Sequence, residues 1–212
     1  MDDSKQSEAL TEQMRIHDTE TQEQPTTLAD STDKNEAAFR AGQRKVLEMI
    51  SANAPLGEIL KSLVLLIEAQ SPEMLCSVLL LSDDGNHIRH GAAPNLPEQY
   101  VKAVDGAPIG PKHGSCGTAM YRGKPVIVTD INTDPLWEDY RELAAGTGLR
   151  ACWSTPIMSG RGKVLGSFAM YYHQPRIPTG DEARLTVVAT HIAGIAIEHQ
   201  RDREALRRAQ AE

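Results

Sequence analysis

Aromatic side chains are scarce in this 212-residue chain: two Trp, five Tyr and two Phe, 4% of the total. Any core must therefore be mainly aliphatic. Cysteine is scarce too. Cys76, Cys116 and Cys152 form no CxxC pair, and three cannot all pair internally, which excludes a disulfide scaffold and fits a reducing compartment. An excess of basic charge is missing. With 22 Lys and Arg against 29 Asp and Glu, the net charge is −7, which argues against a broad nucleic-acid surface. Arg201, Arg203, Arg207 and Arg208 do gather near the end, but Asp202, Glu204 and Glu212 interleave with them and the segment reads as a solvated helix face. No apolar run approaches the roughly 20 residues of a membrane helix, and MDDSKQSEAL at the N-terminus lacks the apolar core of a signal peptide. The expectation is a soluble cytoplasmic protein with neither a membrane nor a nucleic acid as partner.

What is present has clear periodicity. Residues 1–35 are rich in Asp, Glu, Gln, Thr and Ser and bury too little to offset ordering entropy, so a disordered tail is expected there. A helix is expected from near Phe39, through Val46, Leu47 and Ile50, ending before Ala54-Pro55. A second helix carries a wide apolar stripe of Leu56, Ile59, Leu60, Leu63, Leu66 and Ile67, as for a helix packed on a sheet. MLCSVLLLS and HIRHGAA flank the turn signal Ser82-Asp83-Asp84-Gly85-Asn86, which predicts a hairpin. A short helix (PEQYVKAV) and a Gly-Pro-rich loop lead to GSCGTAMYRG, read as a helix capped by Ser115, then to the strand PVIVTD. A further helix is expected from Leu136 to Ala145, stopped by Gly146 and Gly148. RACWSTPIM and VLGSFAMYY form a second hairpin. The class is α+β around one antiparallel sheet.

After Thr179, the positions Leu185, Val188, Ile192, Ile195, His199, Asp202, Leu206 and Ala209 alternate in steps of three and four. That is a heptad seam. A helix from Gly180 to Gln210 would be roughly 45 Å long, so its second half should project, and a coiled-coil homodimer is expected.

GSCGTAMYRGKPVIVTDINTDPLWEDY (114–140), GLRACWSTPIM (148–158) and GKVLGSFAMYY (162–172), in this order of elements, resemble the GAF domain of bacterial signalling proteins. The resemblance covers residues about 40 to 200. It implies a PAS-related antiparallel sheet with the terminal helices on one face and a cavity roofed by loops and short helices on the other. The chain then divides into a tail (1–35), a sensory domain (36–198) and an extension of the signalling helix (199–212). In larger relatives the last helix leads to a kinase, cyclase or transcription-factor domain. Neither a histidine-kinase phosphoacceptor motif nor a GGDEF motif is present, so the expected output is a separate partner or a domain outside this chain, as in two-component signalling.

Seven residues are candidates for contact with a small polar or anionic ligand. Ser115, Cys116, Gly117 and Thr118 stand at a helix start, where orphan N–H groups and the helix dipole favour negative charge. Trp137, Tyr140 and Trp153 are aromatics with polar tips, suited to orienting a ligand. Each has a plainer reading, as cap, turn or core. The Cys116 segment also resembles that of free methionine-(R)-sulfoxide reductases, but those need a further cysteine on the loop before the strand at 150–158, and none lies between Asp130 and Arg150. A buried structural thiol is the commoner fate, with redox sensing by Cys116 the alternative. No metal site is expected: His87 and His90 point to opposite faces of a strand, and His113-x-x-Cys116 is an isolated pair. The nature of any cofactor is left open, a haem needing only one axial His. The acidic run Asp130, Asp134, Glu138, Asp139 and Glu142 reads as a solvated face. Against the sensory reading stand a sulfoxide reductase and a ligand-free dimerisation or docking adaptor.

Overall fold

The computed structural model describes residues 25–211, and side chains from residue 33 onward. The chain divides at Arg44/Lys45 into two units. The division falls within helix α1 (Pro25–Ser51). Residues 1–24 of the expected disordered tail lie outside the described residues. From Pro25 the structure departs from that expectation: the backbone is helical well before Phe39, although residues 33–38 are exposed. Burial is not required for this. Proline is favoured at a first helical position, and a helix once nucleated gains one hydrogen bond for each residue added.

In the second unit, α2 (Leu56–Glu68) is followed by β1 (Leu75–Leu81), β2 (Ile88–Ala92), α3 (Glu98–Val104), α4 (Gly114–Arg122) and β3 (Val126–Val128). A 3₁₀ turn (Pro135–Tyr140) then runs into α5 (Arg141–Thr147), where one helix was expected, and β4 (Ala151–Met158), β5 (Val164–Tyr172) and α6 (Gly180–Ala211) complete the unit. Asp134 starts the 3₁₀ turn by accepting the Leu136 N–H at 2.8 Å. Gly148, at φ +72°, ends α5 in the left-handed region, where glycine is at ease.

The five strands form one antiparallel sheet in the order β2-β1-β5-β4-β3. Its centre is tightly drawn in: a Cβ on Gly166 of β5 would lie 2.1 Å from the Leu79 carbonyl oxygen of β1. Helices α2 and α6 pack on each other and on one face, α2 over β1 and β2 and α6 over β4 and β5. Ile59, Leu60, Leu63 and Ile67 of the expected α2 stripe are buried, Leu56 and Leu66 are half-buried, and Val64 joins the buried face. The other face carries α4, with α3, the 3₁₀ turn and α5 around it. This is the α+β arrangement anticipated from the sequence.

Helix α6 meets the sheet through small residues. Ala189, Ile192, Ala193, Ala196 and Ile197 are buried, and a Cβ on Gly194 would stand 3.1 Å from the Met158 carbonyl oxygen. The heptad positions lie beside this stripe. Ile192 is taken into the domain core, whereas Ile195 and Leu206 remain 38% and 60% exposed. From Glu204 onward the helix is exposed. No helix among the described residues is long and apolar enough to cross a membrane.

Candidate functional site

The site grows out of strand alternation. On the face opposite α2 and α6, Tyr171, Ala169 and Ser167 of β5, Cys152 and Ser154 of β4 and Ser77 of β1 form a floor. Ser77, Ser154, Ser167, Cys152 and Tyr171 are all at least 99% buried, an uncommon density of polar atoms for the middle of a sheet. The Tyr171 hydroxyl stands 3.0 Å from Ser77 Oγ and 3.5 Å from Cys116 Sγ. Tyr100 of α3 packs edge-to-face on the Tyr171 ring at 5.6 Å.

Helix α4 lies across this floor. Its first turn is fixed by Ser115, which does not cap the helix as expected; His113 occupies that position without a side-chain bond. Instead, the Ser115 hydroxyl donates to the Cys152 carbonyl at 3.0 Å and accepts from Trp137 Nε1–H at 2.9 Å. One hydroxyl thus ties α4 to β4 below and to the 3₁₀ turn above. The loop before α4 presses close: a Cβ on Gly117 would come within 2.9 Å of His113 Cβ and 3.3 Å of the Pro108 carbonyl oxygen. Gly117 therefore admits the chain's own loop. Thr118 is fully buried and accepts the His113 backbone N–H at 3.1 Å.

Between these elements is a cavity of about 30 Å³ lined by Ile88, Tyr100, His113, Cys116, Trp137 and Tyr140, with Ser115 and Gly117 also on its wall. It has room for one or two water-sized molecules. Two wider and more open clefts, of about 390 and 470 Å³, lie by Lys61 and His90 and by Arg89 and Arg201 respectively. Of the seven candidates, the structure brings Ser115, Cys116, Gly117, Trp137 and Tyr140 to the small cavity, and Thr118 lies behind them.

Trp153 is the departure. It follows Cys152 in β4, and alternation turns it to the opposite face of the sheet, where its ring lies 4.8 Å from that of Tyr172 and its Nε1–H donates to the Arg176 carbonyl at 3.3 Å. Sequence reading also passed over Tyr171, Ser77, Ser154 and Ser167. Their signal was a hydroxyl residue standing among apolar neighbours on the face that also carries Cys152: Ser154 in β4, Ser167 and Tyr171 in β5, and Ser77 in β1.

The electrostatics follow from burial and hydroxyl donors. The Cys152 thiol interacts with that of Cys116 and pulls its pKa below the ordinary value; burial opposes this, and the hydroxyls of Tyr171, Ser154 and Ser167 add to the lowering. Cys152 itself is pushed up, by burial and then by Cys116. Burial raises Tyr171 and Tyr100 as well. Ser154 Oγ, Ser167 Oγ and His113 Nδ1 are buried without a hydrogen-bond partner. The expected solvated acidic run proves partly structural, since Asp130 pairs with Arg150 at 3.0 Å, which holds its carboxyl below the usual range. Among the described residues no group of three or more His, Cys, Asp or Glu is placed to hold a metal.

On the helix side, Glu182 at the start of α6 is 6% exposed and accepts from the Tyr172 hydroxyl at 2.5 Å, Arg176 Nη2 at 2.8 Å, and Thr179 N–H and Oγ1 at 2.8 and 2.9 Å. Thr179 Oγ1 accepts the Glu182 N–H in return at 3.3 Å, a capping box. Burial would raise the Glu182 pKa, but these donors outweigh it and hold the carboxyl below its ordinary value. The Arg176 guanidinium lies 4.2 Å over the Tyr172 ring.

The chain is 40% identical over 181 residues to the methyl sulfide methyltransferase-associated sensor of Methanosarcina acetivorans; the match takes in 85% of this chain but only 18% of that protein's length. In fold it is similar to the GAF domain of a phosphoenolpyruvate-protein phosphotransferase from Coxiella burnetii, with a TM-score of 0.62 and 21% identity over 79% of this chain and 96% of that one. It is similar also to free methionine-R-sulfoxide reductase from Neisseria meningitidis in complex with its substrate, with a TM-score of 0.57 and 16% identity over 78% and 92%. The family profile described as GAF domain matches residues 53–198, and the chain belongs to the GAF domain family.

Proposed function

We propose that the chain is a sensory module that binds a small polar or anionic ligand in the cavity under Trp137 and Tyr140 and passes its occupancy to α6 in a homodimer. One observation carries the reading: adjacent residues of β5 reach the two sides of the sheet. Tyr171 contacts Cys116 at the cavity, and Tyr172 holds Glu182 at the root of α6. A ligand that displaces Tyr171 moves the strand that anchors the helix. The cavity admits only a very small molecule as it stands, so a larger ligand must lift the loop at 105–113 or the 3₁₀ turn. Ile195 and Leu206, exposed along α6, supply the seam for the second copy. The output lies in a separate partner or in a domain outside this chain. The sensor relative supports this over the enzyme reading, as does the lack of any cysteine between Asp130 and Arg150.

The test is a thermal shift of the full chain against small anions and polar metabolites, with spin labels near the end of α6 to report the spacing between copies. A ligand at a hundredfold excess over its Kd stabilises by about 2.7 kcal/mol, or about 5–10 °C for a chain of this size. Its differential affinity for the two arrangements sets how far the label distance shifts. A monomer, or a label distance that no stabilising compound changes, would remove the transmission reading.

A further inference from the structure

Cys116 and Cys152 have surroundings that a purely structural pair of thiols does not need. Cys116 is on the wall of the small cavity, while Cys152 is fully buried. Ser115, next to Cys116 in sequence, is hydrogen-bonded to the Cys152 carbonyl at 3.0 Å, which holds the two backbones together. Cys116 Sγ lies 3.5 Å from the Tyr171 hydroxyl, and Tyr171 is the cross-strand partner of Cys152. Ser154 and Ser167, 1% and 0% exposed, stand on the same sheet face as Cys152 and Tyr171, and their hydroxyls have no hydrogen-bond partner. Leaving two buried hydroxyls unpaired is costly, and a ring of such donors is what an anionic sulfur, or an oxygen bound to it, requires. The cavity of about 30 Å³ has room for a peroxide and not for a metabolite of ordinary size.

We propose that Cys116 and Cys152 form a redox pair that small hydroperoxides oxidise to an intramolecular disulfide. The Cys116 thiolate attacks one peroxide oxygen; an S–O bond forms as the O–O bond breaks. Sulfur loses two electrons to become a sulfenic acid, and the departing oxygen takes a proton to leave as water or an alcohol. Cys152 then attacks Cys116 Sγ. The S–S bond forms, the S–O bond breaks, and hydroxide departs with the Cys152 proton as a second water. Two thiols and one hydroperoxide thus give one disulfide, one alcohol or water, and one water. Cys76 takes no part. It lies on the other sheet face, where burial and the Glu68 carboxylate raise its pKa.

The test treats the full chain with hydrogen peroxide, then alkylates, counts thiols and measures intact mass. The expected result is loss of two hydrogens, one free thiol in place of three, and joined peptides carrying Cys116 and Cys152. Cys116→Ser should not form the bond. Cys152→Ser, or Cys152→Ala should the first not fold, should gain one oxygen that dimedone traps at Cys116. Ser154→Ala with Ser167→Ala should move the pH profile of Cys116 alkylation upward, which a merely space-filling role would not do. Three thiols surviving in excess peroxide, a bond to Cys76, or faster oxidation by methionine sulfoxide than by peroxide would overturn the proposal. That oxidation reaches α6 rests on the sensory reading above. A disulfide that forms without changing the label distance would leave the redox pair standing and count against that reading alone.

Discussion

Replacing Trp137 tests whether the roof over the cavity is packed core or a loosely held lid. The indole is 2% exposed and meets Tyr140 edge-on at 6.4 Å, and its N–H donates to Ser115 at 2.9 Å. Trp137→Ala removes roughly 150 Å² of buried surface, which at about 25 cal/mol per Å² is about 4 kcal/mol. That falls within the about 3–5 kcal/mol usual for truncating a buried Trp. Trp137→Phe keeps most of the area and loses one hydrogen bond, a cost of about 1–2 kcal/mol with the unpaired Ser115 lone pair included. Urea unfolding followed by far-UV circular dichroism measures both differences. The fluorescence of Trp153, the one tryptophan left, reports whether the opposite sheet face is undisturbed. Added indole should partly restore the melting temperature of Trp137→Ala and leave the wild type unchanged, because only the variant has the vacated space. A Trp137→Ala penalty below about 1 kcal/mol, with no rescue by indole, would refute the argument: the roof would then not be part of the core.

Glu182→Gln should cost on the order of 2 kcal/mol through its charge-assisted hydrogen bonds. The carboxyl pKa is lowered in the folded state, so this stabilisation is present above the ordinary carboxylate pKa and disappears as pH falls through the folded one. The stability gap between wild type and Glu182→Gln, measured by denaturant titration, should therefore close on acidification; a gap constant with pH would count against the clamp. Gly166→Ala forces a Cβ to 2.1 Å from the Leu79 carbonyl oxygen and should disrupt the β1–β5 pairing, seen as insoluble or non-cooperatively unfolding protein, whereas Gly146→Ala, with nothing within 4 Å, should melt within a few degrees of wild type. Leu206→Asp, at a position 60% exposed, should leave the melting temperature of the isolated fold nearly unchanged and weaken self-association in sedimentation velocity.

The sequence by itself determined the elements of the sheet and their faces. Period-two patterning in VLGSFAMYY and RACWSTPIM fixes which side chains oppose each other, and the hairpin turn fixes their register, because both are local properties of the chain. It determined the root of α6 as well, since Thr179 and Glu182 are three residues apart and a capping box needs nothing more distant. The tertiary structure alone decided the rest. Ser115 reads as a cap locally, yet Cys152 and Trp137, distant in sequence, offer it an acceptor and a donor, and those bonds won. Trp153 read as a candidate for ligand contact or for core because it is an aromatic with a polar tip, and since both sheet faces are buried only packing could place it on the face opposite Cys152, against Tyr172. The α6 heptad and its alanine stripe overlap on one helix, and only the sheet beneath determined that Ile192 would turn inward while Ile195 and Leu206 stay out. Cys116 and Cys152 look unrelated along the chain. They become neighbours because α4 crosses β4, a juxtaposition that depends on long-range packing and leaves no local trace in sequence.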